Sequence, residues 1–342
     1  MTTDTSPSLP YPVVSARRRP SSSSHHSYSG RSPSLVGGSW SLLTQRTGRS
    51  SPLTLLLGLV LCLSLWGNWR MLGSHVVESK VPLSIRATLQ PSHPELRHLI
   101  MVPGHAIWTG CDASTASQDQ DWILEELQKG GDVRAYIKHI TKGAELAVRD
   151  PSSLLIFSGG MTRPASTLSE AMSYYRLAKA GNIYEAFMSE EERARGEFGR
   201  VTTEDFALDS YQNVIYSIAR FREFTGHFPT SITIVGYGMK RRRYEDVHRH
   251  ALRWPSHAFN YIGIDNDHEQ EADYLGERVG GLEPWLQDIY GCKGNLIAKR
   301  RKRNPYRRFH PYHTSSPELE GLLEYCPVGN EVYQGPLPWD GI

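Results

Sequence analysis

The chain has 342 residues, of which 39% are hydrophobic and 22% charged, and its formal net charge is +2 at pH 7. This length allows one large or two modest domains, and the composition excludes a chain that is disordered throughout. Six arginines against the single Asp4 give residues 1–50 a net charge of +5, so the remainder carries −3. The net charge of the folded part therefore excludes a nucleic-acid-binding domain.

Residues 1–50 are rich in Ser, Pro and Arg and lack apolar periodicity, which predicts a disordered tail. Residues 52–70 follow and contain an uncharged, mostly leucine run that ends at Trp66. A membrane span needs about 20 apolar residues, and extension to Trp69 brings the segment to the low end of that range. We therefore expect one transmembrane anchor at residues 52–70, followed by a linker over residues 71–95.

The charges do not decide on which side of the membrane the globular part lies, because basic residues flank residues 52–70 on both sides. No asparagine after this segment stands in an N-x-S/T context, so the chain offers no glycosylation acceptor. Cys111, Cys292 and Cys326 lack the spacing of a disulfide framework. Both observations favour a cytoplasmic globular part with unpaired cysteines.

Short apolar runs alternate with helical patterns from residue 96 to residue 290. The runs that predict strands cover residues 98–104, 152–160, 230–238 and 260–265. The segments that predict helices cover residues 117–148 (broken at Gly130-Gly131), 168–180, 209–225 and 242–252, with a charged insertion at 184–200. Short strands that alternate with helices indicate a parallel sheet covered on both faces, an α/β layered fold. Residues 291–342 form a basic C-terminal extension.

Glycines follow three of the four predicted strands, at Gly104, at Gly159-Gly160 and at Gly236. In such sheets, ligands bind beyond the carboxyl ends of the strands. Glycine at these turns lets backbone N–H groups approach an anionic ligand next to a helix N-terminus. Ordinary strand-to-helix turns also use glycine, but three of them at one edge favour a ligand cleft.

The polar residues of the first two turns are candidate site residues, and each has a structural alternative. His105 follows the first glycine and is either a proton carrier or a structural hydrogen-bonding group. Ser158 ends the second strand as a hydroxyl donor. Ser169 and Glu170 open the next helix, either as ligand contacts or as the helix cap and its first-turn acid.

A second group of candidates surrounds the third predicted strand. Glu204 is a carboxylate suited to acid–base chemistry, and Ser210 and Asn213 share a helix face; the alternative is a set of capping and solvated residues. Lys240 and Arg243 belong to four consecutive cations that open a helix, which the helix dipole disfavours. Nearby acids or a bound anion must compensate for this charge, so both cations are candidate anion-binding residues.

Several familiar sites are absent from the sequence. The chain has no P-loop, no dinucleotide-binding glycine fingerprint, no nucleophile elbow and no EF-hand. No spacing of cysteines and histidines suggests zinc, so we expect no metal ligand. The basic run at residues 298–308 resembles a nuclear-localisation signal or an anionic-lipid patch.

Five segments of the chain resemble, in order, the motifs of one family. They are "MVPGHAIW", "IFSGG" with the later "SEA", "TTEDFALDSYQNV", "IVGYGMKRRRYEDVHRHAL" and "YIGID", within residues 96–265. Together they resemble the domain of unknown function 218, the SanA/YdcF/ElyC-like family, in its fungal membrane-anchored branch. The resemblance implies a Rossmann-like core with polar strand ends along one cleft. Bacterial relatives are linked to the cell envelope, and no reaction is established for the family.

The same resemblance assigns individual positions to the family's motifs. The matched positions are Gly104, Ser158, Gly159, Gly160, Ser169, Glu170, Ala171, Glu204, Ser210 and Asn213. Gln212 stands where the family has a glutamate, so the resemblance implies no carboxylate role at that position.

The sequence therefore predicts a membrane-anchored Rossmann-like domain that binds an anionic or nucleotide-like small molecule, S-adenosylmethionine being one candidate. In this hypothesis the reaction is hydrolysis or group transfer, Glu204 is the acid–base group, and His105 carries a proton. The turn at residues 158–160 cradles the anion, with Lys240 and Arg243 as its charge partners. The alternative is a non-catalytic, membrane-tethered module whose C-terminal basic stretch docks a partner or anionic lipid. The substrate and the oligomeric state are left open.

Overall fold

The structure is a computed structural model that describes residues 52–73, 82–88, 93–266 and 270–342. The predicted tail at residues 1–50 and part of the predicted linker lie outside the described residues. The chain divides into two units, Met1–Val76 and Val77–Ile342. The first unit contributes one described helix, α1 (Pro52–Gly73).

Helix α1 occupies the position of the predicted membrane anchor. Within the described part of the chain, however, no helix combines the length and the apolar character that a membrane crossing requires. The uncharged run stops at Trp66, and the polar Asn68 and the charged Arg70 follow it within the same helix. The predicted anchor at residues 52–70 is therefore not confirmed.

The second unit is built on a five-stranded parallel sheet. Its strands are β1 (His98–Pro103), β4 (Ser153–Ser158), β5 (Val201–Glu204), β6 (Ser231–Gly236) and β7 (Phe259–Gly263), in the spatial order β5-β4-β1-β6-β7. A separate antiparallel ribbon pairs β2 (Ile107–Trp108) with β3 (Trp122–Ile123). The strand order reverses between β1 and β6, and open α/β sheets bind ligands at such a switch point.

Side chains of the strands alternate between two apolar layers. On one face, Ile100 and Val102 of β1 pack in a layer with helices α3 (Asp132–Arg149) and α4 (Glu170–Ala180). On the other face, Leu99 and Met101 pack in a layer with helix α6 (Ser210–Thr225). Burial on both faces explains why these strands are continuous apolar runs. The structure confirms an α/β, Rossmann-like parallel sheet with helices on both faces.

The remaining helical segments are short. The α-helices are α2 (Leu83–Arg86), α5 (Glu190–Arg195), α7 (Arg249–Ala251), α8 (Gln270–Glu277), α9 (Glu283–Gln287), α10 (Gly294–Lys302), α11 (Tyr312–Ser315) and α12 (Glu320–Leu323). The 3₁₀ turns are Ala113–Thr115, Asp119–Asp121, Glu126–Gln128, Gly238–Lys240, Ser256–Ala258 and Pro317–Leu319. Two wider π-helical turns complete longer helical runs: Arg243–His248 leads into α7, and Arg278–Leu282 joins α8 to α9.

The C-terminal extension predicted at residues 291–342 packs into the second unit. Its apolar side chains join the layer that contains α6, namely Leu296, Tyr312, Leu319, Leu322, Leu337 and Trp339. The indole N–H of Trp339 donates a hydrogen bond of 2.7 Å to the backbone oxygen of Leu252. This segment is therefore part of the apolar core of the unit.

Two predicted elements differ from the structure. Residues 117–148 are α-helical only from Asp132, because the preceding part contributes two 3₁₀ turns and strand β3, in which Trp122 pairs with Trp108 of β2 and is buried. The sequence does not predict β5, which begins directly after the segment assigned to a charged insertion. Three of its four residues are half-buried, so this short edge strand lacks an apolar run.

The prediction of unpaired cysteines is wrong for two of the three in the globular part. Cys292 and Cys326 form a disulfide, with Cα atoms 5.9 Å apart, within the usual range for such a bond. They are 34 residues apart in the sequence, so their spacing carries no signal of the pairing. Cys111 is free and exposed. Cysteine pairing therefore no longer favours a cytoplasmic location.

Candidate functional site

A cavity of about 720 Å³ opens at the carboxyl end of the sheet. Gly104 and His105 follow β1 and Lys240 follows β6, and all three line it, so the cavity lies at the switch point between these strands. Its volume falls within the roughly 300–1,000 Å³ that is usual for small-molecule sites. The fold therefore places the cavity where the strand pattern predicts a ligand cleft.

His105 and Lys240 meet inside this cavity. The Nζ atom of Lys240 lies 3.4 Å from Nδ1 of His105 and 5.1 Å from the ring centre of Tyr237. A charged ammonium only donates, so Nδ1 accepts and the proton of a neutral ring lies on Nε2. In the described part of the chain that Nε2 atom is buried and has no hydrogen-bond partner, and the His139 and Tyr136 rings pack against the imidazole. His105 therefore contacts Lys240 inside the cavity, and its role as a proton carrier stays a prediction.

The charge on Lys240 is destabilised by its surroundings. The side chain borders the cavity and is only partly buried. This burial, reinforced by the positive charges of Arg243 and Arg303, lowers the pKa of Lys240 to about 8. Burial and the Lys240 charge hold the pKa of His105 well below its ordinary value, so the imidazole is neutral at pH 7.

Five cations line the cavity, namely Arg163, Lys240, Arg243, Lys299 and Arg303. Arg163 pairs with Glu125, and we refer to the other four as the cationic cluster. Arg243 pairs with Glu277, with Nε and Oε1 3.1 Å apart but not aligned for a hydrogen bond. Arg303 and Lys299 donate to backbone oxygens at 3.0 and 2.9 Å. Among the described residues, the other three cations form no ion pair with a carboxylate. Asp132, Asp273 and Glu277 line the same cavity, so the cluster faces acidic groups as well.

Most carboxylates around the cavity already have partners. Glu125 forms an ion pair with Arg163, and Asp209 forms one with Arg300. Glu170 accepts a hydrogen bond from a threonine hydroxyl. Glu125 and Asp209 are therefore compensated locally, whereas the hydroxyl on Glu170 leaves its charge in place. Asp132 and Glu277 also line the cavity, and their charges raise the pKa of Lys240 against the lowering effect of burial.

Glu204 does not line the cavity, contrary to its predicted catalytic role. It is fully buried at the end of β5 and accepts hydrogen bonds from the hydroxyls of Ser158 (2.8 Å) and Tyr312 (3.0 Å). Two backbone N–H groups of the following loop also donate to it, at 2.8 and 3.2 Å. Burial raises the pKa of Glu204 to about 7 although these hydrogen bonds oppose the shift. We call Glu204, Ser158, Asn213 and Tyr312 the Glu204 network.

The structure brings seven of the twelve predicted site residues to the cavity. They are Gly104, His105, Glu170, Ser210, Asn213, Lys240 and Arg243. The remaining five do not line it; they are Ser158, Gly159, Gly160, Ser169 and Glu204. The predicted residues that follow β1 and β6, and those on α6, therefore lie together at the cavity. Those that follow β4 and β5, apart from Glu170, do not line it.

The turn at residues 158–160 does not cradle an anion, because its donors already have partners. The backbone N–H of Gly159 donates to the backbone oxygen of Glu204 at 3.0 Å, and that of Gly160 donates to the oxygen of Ala207 at 2.8 Å. Ser169 caps α4 by accepting from the N–H of Met172 at 2.9 Å. All of these residues therefore make hydrogen bonds that stabilise the fold, which was the alternative to ligand binding.

Ser210 and Asn213 share the cavity face of α6, as their spacing predicts. The Ser210 hydroxyl lies 2.8 Å from Nε2 of His248, and Oδ1 of Asn213 lies 3.0 Å from the hydroxyl of Ser158. Asn213 thereby joins the cavity to the Glu204 network.

Sequence reasoning misses several lining residues. Arg163 was detectable as the first cation after the second glycine turn, and it is nine-tenths buried at the cavity. Lys299 and Arg303 carry no such signal, because they come from α10 and the residue after it, far along the chain. They lie within the basic run that the sequence assigns to docking.

Comparisons with known proteins identify one relative and leave the predicted family untested. No protein-family model matches the chain, and no solved structure matches it. The resemblance to the domain of unknown function 218 therefore stays a prediction. The chain is similar to "Uncharacterized protein YOR238W" of Saccharomyces cerevisiae, with 32% identity over 261 residues, covering 86% of the yeast protein and 63% of this chain. This chain belongs to the same family as that yeast protein.

Proposed function

We propose that this protein binds a small anionic molecule at the switch point, with the cationic cluster as its charge partner. One observation carries the proposal: Lys240, Lys299 and Arg303 line one cavity and form no ion pair with a carboxylate among the described residues. Like charges that share a cavity repel one another, which costs free energy. A bound anion supplies the missing charge and forms charge-assisted hydrogen bonds.

A phosphate ester suits this cluster better than S-adenosylmethionine does. The sulfonium of S-adenosylmethionine is itself cationic, so it is repelled by the same charges that attract its carboxylate. A phosphate group carries up to two negative charges and several acceptor oxygens, which matches several cationic donors. A nucleotide-like or sugar-like phosphate is therefore the ligand class that we favour.

Hydrolysis or group transfer on this ligand stays part of the proposal, with different residues from those that the sequence suggests. Glu204 is held by its four donors away from the cavity, so it is not the acid–base group. The groups that line the cavity include the Lys240 ammonium, the His105 ring and the Ser210 hydroxyl, which lies 2.8 Å from His248. The carboxylates of Asp132 and Glu277 line it as well, and any reaction would draw on groups of this set.

Thermal stability of the full chain in the presence of anions tests the proposal. The ligands are inorganic phosphate, sulfate, mononucleotides, sugar phosphates and S-adenosylmethionine. A ligand at a hundred times its dissociation constant adds about 2.7 kcal/mol of stability, which a melting curve detects. We expect a shift with phosphate compounds that disappears in Lys240→Met and persists in Lys302→Met, a lysine that does not line the cavity. No shift with any anion would contradict the proposal.

Docking through the basic run at residues 298–308 is a second candidate function. Arg301, Lys302 and Arg307 are exposed, which favours it. Arg300 is not available to a partner, because it pairs with Asp209 and donates to the backbone oxygen of Tyr290 at 2.7 Å. Co-sedimentation with vesicles that contain phosphatidylserine, for the wild type and for an Arg301→Glu, Lys302→Glu variant, decides this candidate. Loss of binding in the variant without loss of the anion-dependent thermal shift would support docking.

The membrane anchor predicted at residues 52–70 stays a separate prediction. Anion binding at the cavity needs no membrane, so each of the two proposals is tested independently of the other. Alkaline extraction of membranes from cells that express the full chain tests the anchor. Protein that remains in the pellet supports it, and protein that is released contradicts it.

A further inference from the structure

We propose that Ser210 donates a hydrogen bond to the anionic group of the ligand, and that His248 is the positioning residue that orients its hydroxyl. This inference rests on the proposed function and adds a neutral donor to the cations that would hold the anion. Ser210 lines the cavity at the first turn of α6, whereas His248 does not line it and is fully buried. The Ser210 Oγ atom lies 2.8 Å from Nε2 of His248. We call these two residues the Ser210–His248 pair.

The contact with Ser210 is the polar contact of an imidazole that is otherwise surrounded by aromatic rings. The rings of Trp285, Tyr244 and Tyr211 pack around it, with centroids 4.6, 5.3 and 5.9 Å away. Among the described residues, Nδ1 has no hydrogen-bond partner. A polar ring is more costly to bury in such surroundings than a phenylalanine, unless its hydrogen bond has a use. The hydrogen bond to Ser210 is therefore what a histidine supplies at this position.

The unpartnered Nδ1 atom indicates which nitrogen carries the ring proton. Burial and the charges of Arg243 and Arg300 hold the pKa of His248 well below its ordinary value, so the ring is neutral at pH 7 and has a single N–H. A proton on Nδ1 would be buried without an acceptor, and unpaired buried N–H groups are rarer in proteins than unpaired buried acceptors. The proton therefore lies on Nε2, which donates to the Ser210 oxygen.

The hydroxyl hydrogen of Ser210 then stays available for the ligand. The His248 ring is the hydrogen-bond contact that the described structure records for Oγ, and in this arrangement the ring is the donor. Ser210 lines the same cavity as Lys240 and Arg243, whose charges attract an anion. A hydroxyl beside a bound oxyanion forms a charge-assisted hydrogen bond, which is shorter and stronger than a neutral one. The ligand group at Ser210 therefore has acceptor oxygens, as a phosphate ester does.

The π-helical turn Arg243–His248 brings the pair next to the cationic cluster. In an α-helix, five residues of separation would set His248 about 140° around the axis from Arg243. A π-helical turn bonds each residue to the fifth along the chain, so it brings the two nearer to one side of the run. Arg243 and Tyr244 line the cavity, and the last residue of the turn contacts Ser210. Such turns are frequent at functional sites, which supports the inference independently of charge.

The pair lacks the third group that a serine nucleophile and its base require. A nucleophilic serine gives its proton to a histidine whose other nitrogen is held by a further group, which stabilises the imidazolium. Nδ1 of His248 has no such partner in the described part of the chain, and the charges of Arg243 and Arg300 oppose a positive ring. Ser210 therefore keeps its proton and acts as a binding donor.

Titration calorimetry of the full chain with inorganic phosphate tests this inference. We expect Ser210→Ala to bind phosphate about tenfold more weakly, because a hydrogen bond to a charged group is lost. His248→Phe keeps a ring without the donor and should weaken binding about fivefold. His248→Gln, whose amide retains an N–H donor, should stay within about twofold of the wild type. Ser217→Ala is the control, because Ser217 is a buried serine of α6 that does not line the cavity, and it leaves the affinity unchanged.

A double-mutant cycle separates positioning of Ser210 from support of the fold. If His248 acts through the Ser210 hydroxyl, His248→Phe changes phosphate affinity less than about twofold in a Ser210→Ala background. Equal losses in both backgrounds, or an unchanged affinity in Ser210→Ala, overturn the inference and leave anion binding intact. A wild type that binds no phosphate overturns the inference together with the proposed phosphate site.

A spectroscopic measurement decides the inference if His248→Phe does not fold. The ¹⁵N NMR shifts of the wild-type imidazole report which nitrogen is protonated, and their absence from the spectrum of His248→Gln assigns them. A proton on Nε2 in the phosphate complex supports the inference. A proton on Nδ1 overturns it, because the Ser210 hydroxyl would then donate to His248 and not to the ligand.

Discussion

The Glu204 network and the cationic cluster are both groups of polar residues at the carboxyl edge of one sheet, and they differ in burial and in how their charges are satisfied. Glu204 receives four hydrogen bonds, from two hydroxyls and two backbone N–H groups. Lys240 has one contact with a ring nitrogen at 3.4 Å and, among the described side chains, no ion pair. Native proteins satisfy nearly all buried polar groups, and Glu204 follows that rule, whereas Lys240 borders the cavity that we propose as the binding site.

The comparison also shows why a shifted pKa alone does not identify a catalytic group. Burial raises the pKa of Glu204 to about 7 and contributes to lowering the pKa of Lys240 to about 8, so both values lie near neutrality. Glu204 is sealed from the cavity by its own partners, whereas Lys240 borders it. Access to a ligand, rather than the size of the shift, distinguishes the two.

The largest expected effect comes from removing the acceptor of the Glu204 network. Glu204→Leu leaves the hydroxyls of Ser158 and Tyr312 and two backbone N–H groups without their acceptor. We expect a loss of about 3–5 kcal/mol in the free energy of unfolding, measured by urea denaturation. Anion affinity of the folded protein should change less than twofold. Glu126→Leu, at an exposed glutamate, is the control, and a loss below about 1 kcal/mol for Glu204→Leu would contradict the network.

Removing the charge of Lys240 should have the opposite effect on stability. The pKa of Lys240 is about 8 when folded against 10.5 as its ordinary value, so the unfolded chain binds the proton more tightly. Without an anion, this residue's contribution to stability therefore rises as pH increases from about 8 to 10.5. Lys240→Met lacks this rise and at pH 7 is expected to gain at most about 3 kcal/mol. Urea denaturation at pH 7 and pH 10 measures both, and a strongly destabilised variant would show that Lys240 is structural.

The same titration should appear in ligand binding. Sulfate is the suitable probe, because its own charge is constant in this range. Its affinity should fall by up to about tenfold per pH unit above pH 8, as Lys240 loses its proton. Lys240→Arg keeps the charge at these pH values and should flatten the dependence. Equal pH dependence in the wild type and this variant, followed by calorimetry, would assign the titrating group elsewhere.

The sequence predicts the sheet better than the site, because strands follow from local sequence patterns whereas the site depends on contacts between distant segments of the chain. Strands β1, β4, β6 and β7 are apolar runs, so local pattern finds them, and it misses the half-buried β5. At the site, the sequence shows the Glu204 carboxylate but not its donor Tyr312, 108 residues away. Lys299 likewise reaches the cavity only through the packing of α10. Long-range contacts decide which polar residues are satisfied, and no local motif records them.

The smallest expected effect is the most specific test of the network, because Tyr312→Phe removes one donor and keeps the ring. The ring packs 5.1 Å from that of Tyr216 and should stay in place. We expect a loss of about 1 kcal/mol at pH 8, where the charged carboxylate needs its donors. The Tyr312 hydrogen bond lowers the pKa of Glu204, so its removal raises this pKa above about 7.

The pH dependence of Tyr312→Phe then has a definite sign. The folded pKa of Glu204 lies above its ordinary value of 4.5, so the folded protein holds the proton more tightly. The stability contributed by Glu204 is therefore present below about pH 4.5 and falls as pH rises toward 7; in Tyr312→Phe this fall extends to higher pH. The difference between variant and wild type should accordingly be smaller at pH 5 than at pH 8 in urea denaturation. If Tyr312→Phe lost as much sulfate affinity as Lys240→Met, Tyr312 would contribute to binding at the cavity. That result would contradict the distinction between the Glu204 network and the cationic cluster.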